Sequence, residues 1–408
     1  MTCMVAHQGK KKIAIVTPYG AEPRFDNYAE FVLAQGLIKN GYEVHFHTYA
    51  IKDNPLHING VYKGVSVIRC RQRFGFSPSL LFSIIGFKPD IVLFFHPRNF
   101  LNLSAYIAGR FVGAKIIGEI VGILHDPFIV SDRDNPLEHM IPNVQLFLRW
   151  SDVFRVPFSR RPFWNWKNFI FHAPTAHADA IIGVSKEEQR LIENFYKRRA
   201  EMIYWCIRTD ASVRQDKPSA EKCGPVPERF ALFIGQLKRR KGWDTALEAI
   251  AYLKKNGAPL SLVFVCSSPT VDEARELAKK LGIEDVVHFM TRISNEEKEW
   301  LYRNAQMLLV PSRYEGFGLT TFEAFMAEIP VCATSIPVLL EFLHDGQNAL
   351  LSPAGDGEAL ARNIVKLQND PALREKLISN GKKTAAEFSE AIMIERYLSL
   401  FDRLLKNN

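Results

Sequence analysis

Residues 306–330, QMLLVPSRYEGFGLTTFEAFMAEIP, set a short apolar run, a loop with two glycines and a helical pattern directly one after another. No other stretch limits so severely what the chain can fold into. Met307–Val310 is an apolar run closed by Pro311 and Ser312, the pattern of a strand covered on both faces. Glu315, Gly316, Phe317 and Gly318 lead into a helix whose Phe322, Phe325 and Met326 recur three and four apart. A helix that starts just past a strand end gathers the unbonded N–H groups of Gly318, Leu319 and Thr320 and the positive end of its dipole at one point. That point suits a phosphate. Glu315 in the loop and Glu323 one turn into the helix are placed to border the same phosphate. A carboxylate there repels phosphate but accepts hydrogen bonds from hydroxyls, and a ribose diol offers two. Local physics leaves a plainer alternative open, with Glu323 a solvated helix residue and Glu315 a loop acid facing the helix dipole.

The alternation of strand and helix runs through the chain. Residues 12–17 (KIAIVT) form a strand, a loop with Gly20 and Pro23 follows, and Asp26 or Asn27 caps a helix that runs through Asn40 to Gly41. Glu43–Tyr49 is the next strand, completing a β-α-β unit. Further strands fall at residues 89–95, 114–120, 230–234 and 261–266. Ligands of such sheets sit beyond the carboxyl ends of the strands. His96 follows one such end and His125, in GILHDP, lies a few residues past another; a lone histidine is more often a structural residue than a catalyst. In the second half, residues 235–242 (GQLKRRKG) place two glycines and four cations between a strand and a helix that Asp244 can cap, which suits a diphosphate.

Bulk properties narrow the class. A chain of 408 residues with 47% hydrophobic content buries a sizeable core and fits two domains. Six cysteines, far apart and without a C-x-x-C pair, give neither a disulfide frame nor a zinc site, and point to a reducing cytoplasm. No run of 18 apolar residues exists, and the N-terminus has no signal-peptide core. Residues 1–200 hold 25 Lys+Arg and 16 Asp+Glu, or +9; residues 201–408 hold 27 and 28, or −1. Basic charge on one half fits nucleic acid, an anionic membrane or an acidic substrate, and no nucleic-acid motif accompanies it.

With these residues in view, the chain resembles the retaining glycosyltransferases of family 4 over residues 12–405. The match rests on the Glu315-x7-Glu323 motif in SRYEGFGLTTFEAF, on FVLAQGLIKNGYEV, on ADAIIGVS, on the G-x-L-x-x-x-K-G of residues 235–242, and on GIEDVVHFMTRIS. The resemblance implies an α/β fold of two Rossmann-like doubly wound domains facing across a cleft. It implies an acceptor-binding domain at residues 1–206, a nucleotide-sugar-binding domain at 207–387, and a last helix at 388–408 that packs back on the first domain through Ile394, Tyr397, Leu398, Phe401, Leu404 and Leu405. Carried over, Glu323 binds the ribose of the donor, Glu315 lies at the donor sugar, and Gly316, Phe317, Gly318, Leu319 and Thr320 line sugar and diphosphate. Lys241 meets phosphate, Gln236 stands where the family has Arg, and Arg239 or Arg240 could supply the missing charge. Thr291 and Arg292 approach the base, His125 approaches the sugar, and Gly20 and His96 are acceptor-side candidates. Two family glycine pairs are replaced, by Arg24-Phe25 and by Pro337-Val338.

The implied activity is metal-independent transfer of a sugar from a UDP- or GDP-type donor to a saccharide or lipid-linked acceptor. It needs no further cofactor and belongs to envelope polysaccharide or glycolipid synthesis. A sugar-nucleotide epimerase or hydrolase and a non-catalytic scaffold stay open; a dinucleotide oxidoreductase lacks its G-x-G-x-x-G after a strand. Residues 147–171 hold Trp150, Trp164 and Trp166, and residues 153–178 hold four Arg/Lys and no acid. That block is either a patch for anionic lipid at the inner face of the membrane or an insertion packed on its own domain.

Overall fold

The computed structural model describes residues 10–18, 28–50, 59–72, 75–122, 162–206, 216–218, 226–266, 271–291 and 293–406, with side chains of the helix after residue 161 described from Phe169 onward. Two separate sheets organise it. The first holds β1 (Lys12–Val16), β2 (Glu43–Tyr49), β3 (Gly60–Tyr62), β4 (Val65–Cys70), β5 (Ile91–Phe95), β6 (Lys115–Ile120), β7 (Ala180–Gly183) and β8 (Glu201–Met202). The second holds β9 (Phe230–Gly235), β10 (Ser261–Cys266), β11 (Val287–Thr291), β12 (Met307–Val310), β13 (Val331–Thr334) and β14 (Leu350–Ser352). The strand orders are β3-β4-β2-β1-β5-β6-β7-β8 and β11-β10-β9-β12-β13-β14. Every pairing is parallel except that of β3 with β4.

Parallel strands must be covered on both faces, and β5 (IVLFF), β12 (MLLV) and β13 (VCAT) are buried at every position. The helices that cover the first sheet are α1 (Ala29–Lys39), α2 (Pro78–Phe87), α3 (Asn102–Phe111), α4 (Pro162–Ala176) and α5 (Lys186–Tyr196). Those of the second are α6 (Trp243–Lys255), α7 (Asp272–Lys280), α8 (Asn295–Asn304), α9 (Leu319–Met326), α10 (Gly357–Asn369) and α11 (Pro371–Ala386), and α12 (Glu390–Lys406) ends the chain. Along β1 the side chains alternate: Ile13 and Ile15 join Phe31 and Leu37 of α1, whereas Ala14 and Val16 join Leu80 and Ile84 of α2 and Ala105 of α3. So α1 lies on one face, and α2 and α3 on the other.

The last helix packs back on the first sheet's helix α1. Gly36 lies at this contact, where a Cβ would fall 2.0 Å from Ile394 Cδ1 and oblige that side chain to shift. Tyr397 donates its hydroxyl to Glu119 in β6, and Lys11 bonds Asp402 at 3.1 Å.

Several local expectations are corrected. The expected caps Asp26 and Asn27 lie outside the described residues; α1 starts after Tyr28, which makes no side-chain cap bond. Asp244 does not cap α6, whose cap is Gly242 in the left-handed region at φ +63. The strand of residues 89–95 begins only at Ile91, because Lys88 turns left-handed at φ +52 before Pro89. The β3–β4 hairpin was not anticipated, although its turn, Lys63-Gly64 with both φ positive, is of the two-residue kind that joins such strands. Of the aromatic block at residues 147–171, Phe169, Ile170 and Phe171 are buried, and Phe171 lies 4.7 Å from the Phe100 ring. That end is packed core, and Trp150 lies outside the described residues.

Candidate active site

In the second sheet β9 is flanked by β10 on one side and β12 on the other, so the chain crosses over in opposite directions from this point. Such a switch opens a crevice at the carboxyl ends of the two strands. The loops that leave them, residues 236–242 after β9 and 311–318 after β12, form its walls. They are stitched together by main-chain bonds, with Arg240 O accepting from Arg313 N at 2.7 Å and from Tyr314 N at 3.2 Å. Gly242 is required at the crossing, because a Cβ there would sit 1.8 Å from Pro311 O. Arg313 fixes the outer side through two bonds to Asp244, 2.6 and 3.0 Å, and one to Arg239 O at 2.9 Å.

This stitching brings Lys241 to Glu315. The ammonium donates to both carboxylate oxygens, at 2.6 and 2.8 Å, and Ser312 adds a hydroxyl at 2.7 Å. Burial by itself raises the Glu315 carboxyl. The charges of Lys241 and Arg240 and the bonds from Lys241 and Ser312 outweigh it and hold the group below the usual carboxylate range. Burial also pulls Lys241 down, with Arg240 adding and Glu315 opposing. The two shifts push the pair in opposite senses; three donors converging on one carboxylate favour the ionised form of Glu315. Lys241 has a third N–H beyond the two it gives Glu315.

Above the pair begins α9. Gly318, at φ +93, is its N-cap, and the first intrahelical acceptor is Gly318 O, bonded by Thr321 N at 3.0 Å. The N–H groups of Leu319 and Thr320 therefore point out of the helix end. Phe317 is buried and stacks on Phe322, centroids 5.0 Å apart, which fixes the angle between loop and helix. A Cβ on Gly316 would lie 3.1 Å from Gly122 N, so this loop abuts the segment leaving β6 of the first sheet.

Glu323 belongs to a second cluster. Its Oε1 accepts from Lys298 Nζ at 2.8 Å and its Oε2 from the Tyr302 hydroxyl at 2.7 Å. Both donors stand one turn apart on α8, which is anchored by a capping box between Ser294 and Glu297. The two carboxylates of the motif are thus held by different cations. Lys298, Tyr302, Ser312 and Arg313 were missed in the sequence; the Ser294-x-x-Glu297 pattern marks the start of α8 and could have placed Lys298 and Tyr302 on one face.

Gln236 accepts from Arg240 at 3.2 Å. Thr291 is exposed at the end of β11. Gly20, His125 and Arg292 lie outside the described residues. His96 follows β5 at φ +62 and turns inward, with Nε2 3.0 Å from Oε1 of the buried Glu30. Beside it Glu119 accepts from Trp205 Nε1 at 2.5 Å and from Tyr397, and burial pushes its carboxyl up to about 8, against those two bonds and with Glu30 adding. Of the replaced glycine pair Pro337-Val338, Val338 is at φ −62, and Leu339 packs behind Gly318.

The model of the glycosyl transferases group 1 matches residues 217–384, and that of glycosyltransferase family 4 matches residues 31–211. An uncharacterized glycosyltransferase, MJ1178 of Methanocaldococcus jannaschii, is 28% identical over 301 residues, covering 72% of this chain and 79% of its own length. Across a set of curated relatives the aligned part spans from 39% to 79% of their length. Sucrose-phosphate synthase from Thermosynechococcus elongatus superposes with a TM-score of 0.72 at 18% identity, covering 98% of this chain and 100% of that one. Anabaena Alr3699/HepE, in complex with UDP-glucose, gives 0.68 at 15%, covering 97% and 100%. Two sheets of this topology, a charged crevice at the switch point of the second, and two family matches that together run through both place the chain among the family 4 glycosyltransferases of the GT-B fold.

Proposed function

We propose that the protein is a retaining glycosyltransferase that moves a sugar from a nucleoside diphosphate sugar to a saccharide or lipid-linked acceptor without a metal ion. The observation that carries this reading is the convergence of the Lys241 ammonium and the α9 N-terminus on one crevice, with the Glu323 carboxylate a turn further in. The diphosphate would sit against the N–H groups of Leu319 and Thr320, take the third N–H of Lys241, and draw on Arg240. These cations supply the charge that a divalent ion gives elsewhere. Glu323 would accept the ribose hydroxyls, as each oxygen keeps a lone pair beyond the bond from Lys298 or Tyr302. A complex of HepE with UDP-glucose exists on the same fold, which favours a uridine donor.

In the transfer, the bond from the anomeric carbon to the phosphate oxygen breaks while the acceptor oxygen bonds the same face of the sugar. The acceptor proton passes to the departing phosphate, so no protein nucleophile is required. Charge grows on the diphosphate, and Lys241 and the helix end stabilise it as it grows. Glu315 keeps Lys241 in place and borders the sugar. His125 approaches the donor sugar in this reading, and Gly20 and His96 belong to the acceptor side.

The test is calorimetry with UDP, GDP and ADP, then turnover with the sugar nucleotides of the one that binds, in EDTA, with the anomeric configuration of the product read by NMR. Saturable binding lost in Glu323→Ala and a retained configuration are expected. Binding of none of the three nucleotides, or an inverted product, overturns the reading.

A further inference from the structure

We propose that the outer face of α2 and α3 docks on a bilayer surface of anionic phospholipid. Helix α2, PSLLFSIIGF, contains no charged residue. Leu80, Ile84 and Phe87 account for its packing on the sheet, yet Phe82 on the outer side is 69% exposed. On α3 the inner residues are Ala105 and Ala108, while Ile107 and Phe111, one turn apart on one face, are 38% and 76% exposed. The two helices pack side by side on the same sheet face, so residues pointing away from the sheet share one outer surface. Among the described residues six large apolar side chains are exposed, and three of them are here. An ordinary solvated helix of this protein looks different: α7 reads DEARELAKK. Apolar surface concentrated in this way marks an interaction site.

Charge decides what it meets. Residues 59–120 hold eight Lys+Arg and two Asp+Glu; Arg69 and Glu119 are buried, and Lys63 lies on the β3–β4 turn beside Gln35 of α1, so the cations of this face are those around α2 and α3. Lys88 is the exposed C-cap of α2, and Arg71 stands at its other end, its N–H bonded to Ser79 Oγ at 3.2 Å. Arg98 is exposed between β5 and α3, whereas Arg110 is occupied by Asp179 at 2.9 and 3.1 Å. A cationic rim around aromatic side chains matches lipid phosphate around an acyl boundary. Two copies of the same cationic face would repel each other, which disfavours self-association.

The experiment is sedimentation of the full chain with vesicles of phosphatidylglycerol and phosphatidylcholine, and of phosphatidylcholine alone, at low and high salt. Pelleting is expected with the anionic vesicles only, weakening as salt rises. Phe82→Ser with Phe111→Ser should lower the partition coefficient at least tenfold, at unchanged melting temperature and nucleotide binding, because both rings are exposed and outside the crevice. Lys88→Glu with Arg98→Glu should remove the preference for anionic lipid. Absence of pelleting overturns the proposal, as does pelleting that the double Phe variant leaves intact. A concentration-dependent dimer by light scattering that the same variant abolishes also overturns it, since the face then joins two copies.

Discussion

Replacing Lys241 by Met should do two separable things. The ammonium is the main neutralising partner of Glu315, whose side chain is 5% exposed, with contacts of 2.6 and 2.8 Å. Breaking a buried pair from one side leaves an uncompensated charge and costs about 3 to 5 kcal/mol. Here Ser312 still donates to Oε1 and Arg240 remains nearby, so the lower end of that range applies. Glu315→Gln in the same chain removes the stranded charge and should return the melting temperature most of the way. The second effect survives that rescue. The double variant still lacks the cation at the diphosphate, and a charge-assisted hydrogen bond lost there is worth about 1.5 to 3 kcal/mol, roughly ten- to a hundredfold in affinity. Calorimetry with UDP and with uridine separates the two effects, since the nucleoside has no phosphate to lose contact with. Equal weakening of both ligands would refute the phosphate assignment. A Lys241→Met protein as stable as the native one would refute the account of the ion pair.

Lys298→Met should weaken UDP about fivefold while leaving 2′-deoxy-UDP nearly unchanged, because it frees Glu323 to rotate away from the ribose diol; equal effects on both ligands would remove Lys298 from the site. Glu119 has a folded pKa raised to about 8 by burial, so the folded state holds a proton that the unfolded chain has released; stability falls as pH rises from about 4.5 to about 8. Glu119→Gln should flatten that slope in a series of thermal melts, and an unchanged slope would exclude Glu119 as its source. Gly242→Ala forces a side chain against Pro311 O at a positive φ and should cost on the order of 3 kcal/mol by thermal unfolding, whereas a neutral effect would mean that the two loops are not stitched as described. Glu341 accepts from Lys186 N, Glu187 N and the Tyr204 hydroxyl at 2.9, 3.0 and 2.9 Å, bridging from the second sheet's loops to the first sheet's α5. Glu341→Ala should therefore enlarge the radius of gyration of the ligand-free protein in X-ray scattering, and an identical scattering curve would show that the bridge holds nothing closed.

What could be read from the sequence was local. The β12 run, the two glycines and the α9 pattern lie within 20 residues, and each carries its own physical signature: an unbroken apolar run, a residue free to take φ +93, an apolar stripe at helical spacing. The partners of those residues were not legible, because partner choice is made by loops that meet only after the sheet forms. Lys241 and Glu315 are 74 residues apart, Tyr397 and Glu119 are 278, and nothing in either neighbourhood names the other. The same limit explains the error over Asp244. As a residue near a helix start it reads as a cap, and only the arrival of Arg313, 69 residues later, turns it outward to hold the loop wall. A glycine is indispensable where the backbone is left-handed or where another chain segment presses in; Gly242 meets both conditions, whereas the backbone at Val338 is at φ −62. The motif residues therefore locate the crevice, and the contacts that tune it, Lys298 on Glu323 and Ser312 on Glu315, follow from how the second sheet brings its strand ends together.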